Sequence, residues 1–258
     1  MSVNHVELKD MIRKRWNRRA GSFDRCPGHG IHSDREKNDW VNLFTRVIGG
    51  DGLSILDVGA GTGVLALVMA EMGHRITCLD IAEEMLEKAG EKFKNNNLPG
   101  KFVVGDAEKL PFEDNSFDVV FNRHVVWSLP DPDKAIREWK RVLKAGGKLV
   151  IIDGNWGKHL PMHKKIWRFF GQLLILITEF RNPWQGGHKM DRYLPMKQQK
   201  RPETDKIILE GLGFQVDVIN VNIPRWNNFL GYLKHGYYTG EEFLIKAVKT
   251  TGCCIQHD

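Results

Sequence analysis

The chain of 258 residues contains few cysteines, and they are not spaced as zinc ligands usually are. Cys26, Cys78, Cys253 and Cys254 include no C-x-x-C pair. We expect Cys78 to lie in the core of a strand, and the adjacent Cys253 and Cys254 to be free thiols near the C-terminus. Sparing use of unpaired cysteine predicts a reducing compartment, the cytoplasm.

Long apolar segments are also missing. The opening residues, MSVNHVELKDMIRKRW, include no apolar stretch of the kind found in secretory signal peptides. The most apolar run, at 169–178, is far shorter than the roughly 20 residues that a helix needs to span a bilayer. We therefore expect neither a secretion signal nor a transmembrane segment.

The charge is only mildly unbalanced. Lys and Arg number 38 against 32 Asp and Glu, which gives a net charge of +6 without one long basic block. A dispersed excess of this size is weak evidence for binding to nucleic acid, and we expect no such partner.

Residues 53–153 alternate short apolar strands with helices, a pattern typical of a parallel, doubly wound sheet. We predict an α/β fold with a mostly parallel seven-stranded sheet and an antiparallel last strand, which is a Rossmann-like arrangement. The chain, 1–258, is expected to be a single domain. Its predicted parts are an N-terminal helical cover (1–48), a ligand-binding core (53–153), an insertion that forms a lid (154–201) and a C-terminal helix with a strand pair (202–250).

A glycine-rich turn, ILDVGAGTG at 55–63, follows the first predicted strand. Gly59 and Gly61 fit the dinucleotide pattern G-x-G-x-x-G, but Gly63 comes one residue too early for the third position. The phosphate-loop pattern fails as well, because no Lys follows Gly63. Asp57, just before the turn, would repel a pyrophosphate and attract an ammonium group.

Two further acids end the next two predicted strands. Asp80 is placed to accept both hydroxyls of a ribose, and Asp106 is placed to accept from an adenine amino group. A ligand with an ammonium, a ribose and an adenine but no phosphate is S-adenosylmethionine. Its sulfonium charge also suits an edge lined with acids.

Four stretches within 53–153 carry a specific resemblance: ILDVGAGTGVLA, CLDIAEEML, VVGDAEKLPFEDNSFDVVF and REWKRVLKAGGKLVIID. In their order and spacing they resemble class I S-adenosylmethionine-dependent methyltransferases of the small-molecule type, which includes the ubiquinone/menaquinone-biosynthesis enzymes. The resemblance implies direct in-line transfer of a methyl group to a small-molecule acceptor, with S-adenosylhomocysteine as product. Ala145 stands where the family often has Pro, a departure that concerns only the rigidity of a turn.

The resemblance also implies which residues bind the cofactor. Asp57 would reach the methionyl amino group, Asp80 the ribose and Asp106 the adenine, although Asp57 and Asp80 could instead cap local turns. The implied cofactor-binding residues are Asp57, Gly59, Ala60, Gly61, Gly63, Asp80, Ile81, Met85, Asp106, Ala107 and Asn122.

The candidate catalytic residues follow the fourth predicted strand, in NRHVVW. His124 is a candidate base or an orienting group, Arg123 a ligand for an acidic substrate or half of a structural ion pair, and Trp127 a stacking or packing residue. The D/N-P-P-Y/F motif of enzymes that methylate nucleic-acid bases is absent here, which also argues against a nucleic-acid substrate.

Aromatic and histidine residues outside the core are expected to close the site over the substrate: Trp16, Phe23, His29, His32 and Tyr193. Cys26 with His29 and His32 forms C-x-x-H-x-x-H, but this short run has no evident fourth ligand, and we expect no metal. Arsenite methylation would require Cys26 to meet the Cys253–Cys254 pair and is a minor alternative.

The insertion helix, at 166–180, is apolar on more than one face. We expect it to be buried as core and lid. Contact with a second copy in a homodimer and shallow contact with an anionic membrane are the alternatives. Two other functions also stay open: a non-catalytic S-adenosylmethionine-binding or scaffold protein, and a nucleotide-dependent oxidoreductase, against which the early third glycine argues.

Overall fold

The computed structural model describes residues 4–25, 28–154, 161–179, 189–221, 223, 229–236 and 242–250. A seven-stranded sheet has the order β3-β2-β1-β4-β5-β7-β6, and β7 runs antiparallel to both of its neighbours. The strands are β1 Ser54–Val58, β2 Arg75–Asp80, β3 Lys101–Val104, β4 Phe117–Arg123, β5 Leu143–Gly154, β6 Phe214–Asn220 and β7 Glu242–Lys249. The predicted fold class and the antiparallel last strand are confirmed.

The helices are α1 His5–Asn17, α2 Asp34–Val47, α3 Val64–Glu71, α4 Glu83–Asn95, α5 Pro132–Val142, α6 Met162–Glu179, α7 Glu203–Gly211 and α8 Phe229–His235. Two differ from the sequence prediction. The run DKAIREWKRVLKAGG predicts a helix that stops at the glycines 146–147, but α5 ends at Val142 and β5 begins at once. The stretch before β7, rich in Trp, Asn and Tyr, predicts a loop, but it contains the helix α8.

Helices cover both faces of the sheet. Successive residues of a strand point to opposite faces, so each strand packs against helices on both sides. Val120 packs on the side of α5 and α7, against Trp139. Phe121 packs on the side of α2, α3 and α4, against Phe44. The helical spacing of the apolar residues in α2 predicts one buried face, and the structure confirms it: Trp40, Leu43, Phe44 and Val47 are all buried.

The N-terminal helix α1 begins with a capping box, in which Asn4 and Glu7 each accept from the other's backbone N–H. Its buried residues are Leu8 and Ile12. Val6 and Met11, which are also apolar, are exposed. The helix packs against α4 and against a 3₁₀ turn at Lys189–Tyr193.

The insertion helix α6 packs on α8 along one side. Trp167 Nε1 donates a hydrogen bond of 2.7 Å to the carbonyl of Leu233. At Gly171 a Cβ would lie 2.6 Å from the carbonyl oxygen of Lys234, so only glycine permits this approach. The rest of the apolar surface of α6 is largely exposed, so the expectation of burial as core was wrong. Within the described ranges, no helix is both long and apolar enough to cross a membrane.

Candidate active site at the carboxyl edge of the sheet

The glycine turn after β1 is held against the end of β2. Gly59 and Ala60 donate their backbone N–H groups to the carbonyl of Leu79, at 2.7 and 3.1 Å. Gly59 has a φ of +66°, and a Cβ there would lie 2.4 Å from Val125 Cγ2. Gly63 also has a positive φ and lies at the start of α3. Gly59 therefore lets the turn pass close to Val125, which follows β4, and Gly63 lets it pass close to Ala89 of α4.

Asp80 joins this turn to the start of α4. Its Oδ2 accepts from the backbone N–H of Gly61 and its Oδ1 from that of Ala82, both at 2.8 Å. Burial raises the pKa of Asp80, while these backbone donors oppose the rise. The carboxylate therefore holds the local turn before α4, and it does not cap the first turn of the helix itself, whose N-cap residue is Ala82. Each oxygen has a second lone pair with which it can accept another hydrogen bond.

Asp57 and Arg123 lie on the adjacent strands β1 and β4; Asp57 is buried and Arg123 is half-buried. Burial raises the pKa of Asp57 well above its usual range; Arg123 opposes this rise and Asp80 adds to it. Burial lowers the pKa of Arg123 to about 10, so it remains charged at neutral pH. Arg123 Nη2 also donates to the carbonyl of His29 at 2.7 Å, which ties the N-terminal cover to this edge.

Asn122 is fully buried between the strand ends, and neither its Oδ1 nor its Nδ2 has a hydrogen-bond partner in the described part of the chain. Buried polar atoms are nearly always paired, so an unpaired amide indicates a place for a polar ligand. With Asp57 and Asp80 it forms a set of acceptors at the ends of β1, β2 and β4. These residues fit S-adenosylmethionine, which carries an ammonium and two ribose hydroxyls.

The predicted adenine side contains one contact that the sequence did not suggest. Lys9 of α1 pairs with Asp106 at 2.7 Å and with Glu108 at 2.5 Å. The Oδ1 of Asp106 also accepts from the backbone N–H of Glu108, and the carbonyl of Ala107 accepts from Trp139. Asp106 is thus partly engaged by the N-terminal helix.

The two apolar residues of the predicted cofactor site lie under the N-terminal cover. Met85 is buried with Ala82 and packs against Trp16 and Phe23. Ile81 packs in the cluster of Leu8, Ile12, Trp127, Met190 and Leu194.

His124 is held from two directions at the end of β4. Its backbone has a φ of +60°, and its N–H donates to the carbonyl of Ile152 at 2.8 Å. Its ring Nε2 lies 2.6 Å from Oε1 of Glu242. Because β7 is antiparallel, its first residue reaches the edge where β4 and β5 end, and Glu242 pairs with Gly154 there. The sequence analysis missed Glu242, which only the strand order brings to this place.

A row of rings connects His124 to the N-terminal cover. His29 lies edge-on to His124 at 5.9 Å between ring centroids and stacks on Phe23 at 4.2 Å. Phe23 contacts Trp16 at 5.8 Å, and Trp16 contacts Trp127 at 6.4 Å. The structure therefore brings together five of the aromatic and histidine residues that the sequence singled out.

The other two residues expected to close the site lie further out. His32 lines a separate groove beside α3 and α4, with Asp24 and Lys92. Tyr193 packs at the margin of the Trp127 cluster. Cys26, Cys253 and Cys254 lie outside the described residues. Within the described ranges no three His, Cys, Asp or Glu side chains are grouped to hold a metal ion.

A buried ion network that the sequence did not reveal supports the loop after β4. Arg201 pairs with Asp153 at 2.7 Å and donates from Nε to Asp205 at 2.8 Å. Asp153 in turn accepts from the backbone N–H of Trp127. This network fixes the position of the Trp127 backbone through its hydrogen bond to Asp153.

Comparison with known proteins agrees with this geometry. A family model described as "Methyltransferase domain" matches residues 56–151. The chain is 34% identical over 186 residues to the ubiquinone/menaquinone biosynthesis C-methyltransferase UbiE of Rickettsia felis, covering 68% of this chain and 74% of that protein. It is 32% identical over 214 residues to the demethylmenaquinone methyltransferase of Leptospira interrogans, covering 79% and 84%. A solved S-adenosylmethionine-dependent methyltransferase from Aquifex aeolicus shares the fold, with a TM-score of 0.60 at 20% identity and coverage of 91% and 98%.

Proposed function

Because the chain belongs to the S-adenosylmethionine-dependent methyltransferases that act on small molecules, we propose that its acceptor is an aromatic compound with an ionisable hydroxyl, of the hydroquinone class, and that His124 takes the hydroxyl proton. The observation that carries this proposal is the 2.6 Å contact between His124 and Glu242 beside a row of aromatic rings.

The cofactor is proposed to bind across the ends of β1, β2 and β4. Asp57 pairs with its ammonium group, and the neighbouring Arg123 pairs with the carboxylate of the same amino-acid moiety. Asp80 accepts from the ribose hydroxyls, and Asn122 offers its unpaired amide to the amino group. When bound, S-adenosylmethionine supplies an electrophilic methyl group and a neutral leaving group.

The proposed role of His124 depends on whether methyl transfer to this acceptor needs a base. Alignment of the two reactants supplies much of the acceleration of an in-line displacement, and a base adds to it only if the acceptor enters protonated. A phenolic hydroxyl is protonated at neutral pH. Loss of its proton gives a phenolate, in which the oxygen and the ring carbons are better nucleophiles. Glu242 orients the imidazole of His124 and stabilises its protonated form.

Two lines of support favour an aromatic acceptor. His29 lies beside His124, and the row of rings continues from it through Phe23 and Trp16 to Trp127. Aromatic pairs are favourable at such distances. The relatives from Rickettsia felis and Leptospira interrogans carry names that place them in ubiquinone and menaquinone methylation.

The test is an acceptor panel with S-adenosylmethionine labelled in its methyl group. We expect transfer to a substituted hydroquinone and none to its dimethyl ether, which has the same shape but no proton to lose. A primary amine of similar size serves as a second control. Transfer only to the amine would contradict the proposed acceptor class. Failure with every acceptor, despite tight binding of S-adenosylhomocysteine, would favour a non-catalytic cofactor-binding protein.

His124→Asn should lower transfer to the hydroquinone by about 100-fold, since general bases typically contribute this much or more. Asn is the suitable replacement because it tolerates the left-handed backbone found at this position. The affinity of the His124→Asn variant for S-adenosylhomocysteine should stay within a few fold of the wild-type value, which would show that the cofactor site is intact.

A further inference from the structure

The helix α6 presents an apolar stripe to solvent. The side chains of this stripe recur every three or four residues and so share one face of the helix. They are Met162, Ile166, Phe169, Phe170, Leu173, Leu176 and Ile177. Phe170 is 57% exposed and Ile177 is 60% exposed. The opposite face, with Trp167, Gly171 and Ile175, is the one that packs inward and against α8.

Basic residues flank the stripe along one side. From the helical period, Lys165 lies along one margin of the stripe with Arg168 beyond it, and the imidazole of His163 lies along the other margin. All three are exposed. From Met162 to Thr178 the sequence has no Asp or Glu. The stripe therefore has one positively charged margin, and no acidic residue of the same stretch balances it.

We propose that α6 lies in the surface of an anionic phospholipid bilayer, with the apolar stripe at the level of the upper acyl chains and the flanking basic residues among the headgroup phosphates. An apolar face bordered by Lys and Arg is the arrangement that binds in the interfacial plane, since the long basic side chains reach the headgroups while the stripe is buried.

The charges favour a lipid surface over a second copy of the chain. A symmetric helix pair would bury the same stripe but would bring the basic margins of the two copies close together. No acid between 162 and 178 would neutralise them. An anionic surface supplies the missing negative charge. The nearby helix α8 adds three exposed apolar side chains, Phe229, Leu230 and Tyr232.

Vesicle flotation with the full chain tests this proposal. We expect the protein to bind vesicles that contain phosphatidylglycerol, to bind pure phosphatidylcholine vesicles much more weakly, and to dissociate as salt is raised. Phe170→Glu should weaken binding by about tenfold or more, since it removes apolar contact and adds a negative charge. Lys165→Glu should weaken it by about fivefold or more, from the contribution of one basic residue near an anionic surface.

Ile207→Glu is the matched control, because Ile207 on α7 is also a strongly exposed aliphatic residue. It should leave vesicle binding unchanged. Calorimetry with S-adenosylhomocysteine should show that all three variants still bind the cofactor, so this result is independent of the acceptor proposed above.

Absence of wild-type binding to phosphatidylglycerol vesicles would overturn the proposal, as would an equal loss of binding in Ile207→Glu and Phe170→Glu. Sedimentation that finds a dimer which Phe170→Glu separates, together with no vesicle binding, would assign the stripe to a homodimer instead.

Discussion

The two halves of the carboxyl edge are held in place in different ways. Asp80, on the proposed cofactor side, is fixed by backbone N–H groups 19 and 2 positions away in the chain. His124, on the proposed acceptor side, is fixed by Glu242, 118 positions away, and contacts His29 of the N-terminal cover. The proposed cofactor half at Asp80 therefore rests on nearby backbone groups, and the proposed acceptor half at His124 rests on side chains from distant segments.

The N-terminal cover also reaches the cofactor half, where Lys9 pairs with Asp106 and the carbonyl of His29 accepts from Arg123. We therefore expect a change at Glu242 to alter the acceptor half and to leave cofactor binding unchanged.

The largest expected effect is on the cofactor half. Asp80→Ala should weaken the binding of S-adenosylhomocysteine by about 100-fold or more, because hydrogen bonds to a charged acceptor contribute about 1.5–3 kcal/mol each. Isothermal titration calorimetry measures this. Asp118→Ala is the control: Asp118 also accepts from a backbone N–H, that of Ser54, but at the start of the strands. Equal losses of affinity in both variants would mean that Asp80 acts only through the fold.

On the acceptor half, Glu242→Gln should lower the rate of methyl transfer and leave cofactor binding unchanged. We expect kcat with a hydroquinone acceptor to fall by about 30-fold, because the amide no longer stabilises protonated His124. The dissociation constant of S-adenosylhomocysteine should not change. A pH profile of kcat separates this role from a structural one, since its acid limb should shift when the carboxylate is removed. A loss of cofactor affinity in this variant would erase the distinction between the two halves.

The pH dependence of cofactor binding should arise at Asp57. Its pKa is raised by burial, so the charged form is lost as the pH falls through that raised value. Only the charged form pairs with an ammonium, so affinity should drop progressively as the pH is lowered from neutral through that raised pKa. Asp57→Asn should bind more weakly at neutral pH and vary little over this range. A wild-type affinity that does not change with pH would exclude Asp57 as the ammonium partner.

The smallest effect is expected at Asn122. Asn122→Leu should raise the free energy of unfolding of the free protein by about 1 kcal/mol, because an unpaired buried amide is replaced by an apolar group of similar size. The same change should weaken cofactor binding by about fivefold. Denaturant unfolding and calorimetry on one preparation give both values. A variant that is less stable and binds normally would show that Asn122 serves packing and not the ligand.

The same contrast explains which features could be predicted from the sequence. The positions of Asp57, Asp80 and the glycine turn can be read from the predicted ends of the first two strands. The sequence alone therefore predicts that they lie at the carboxyl edge of the sheet. Glu242 and Lys9 could not be found in this way, because their positions depend on the strand order and on how α1 packs.

Helix faces were predicted with mixed success for a related physical reason. Periodicity placed the buried face of α2 correctly, since that helix has one apolar face. In α6 both sides are apolar, and periodicity cannot tell which of them meets the rest of the protein. The exposed stripe of Phe169, Phe170 and Ile177 is visible only once Trp167 and Gly171 are seen to pack against α8.

A crystal structure with S-adenosylhomocysteine bound tests the central claim most directly. We predict the amino group of the ligand beside Asp57 and Asn122, its ribose hydroxyls on Asp80, and its sulfur facing the row of rings that includes His29, His124 and Trp127. A ligand whose ribose lies away from Asp80, or whose sulfur faces away from His124, would contradict the account.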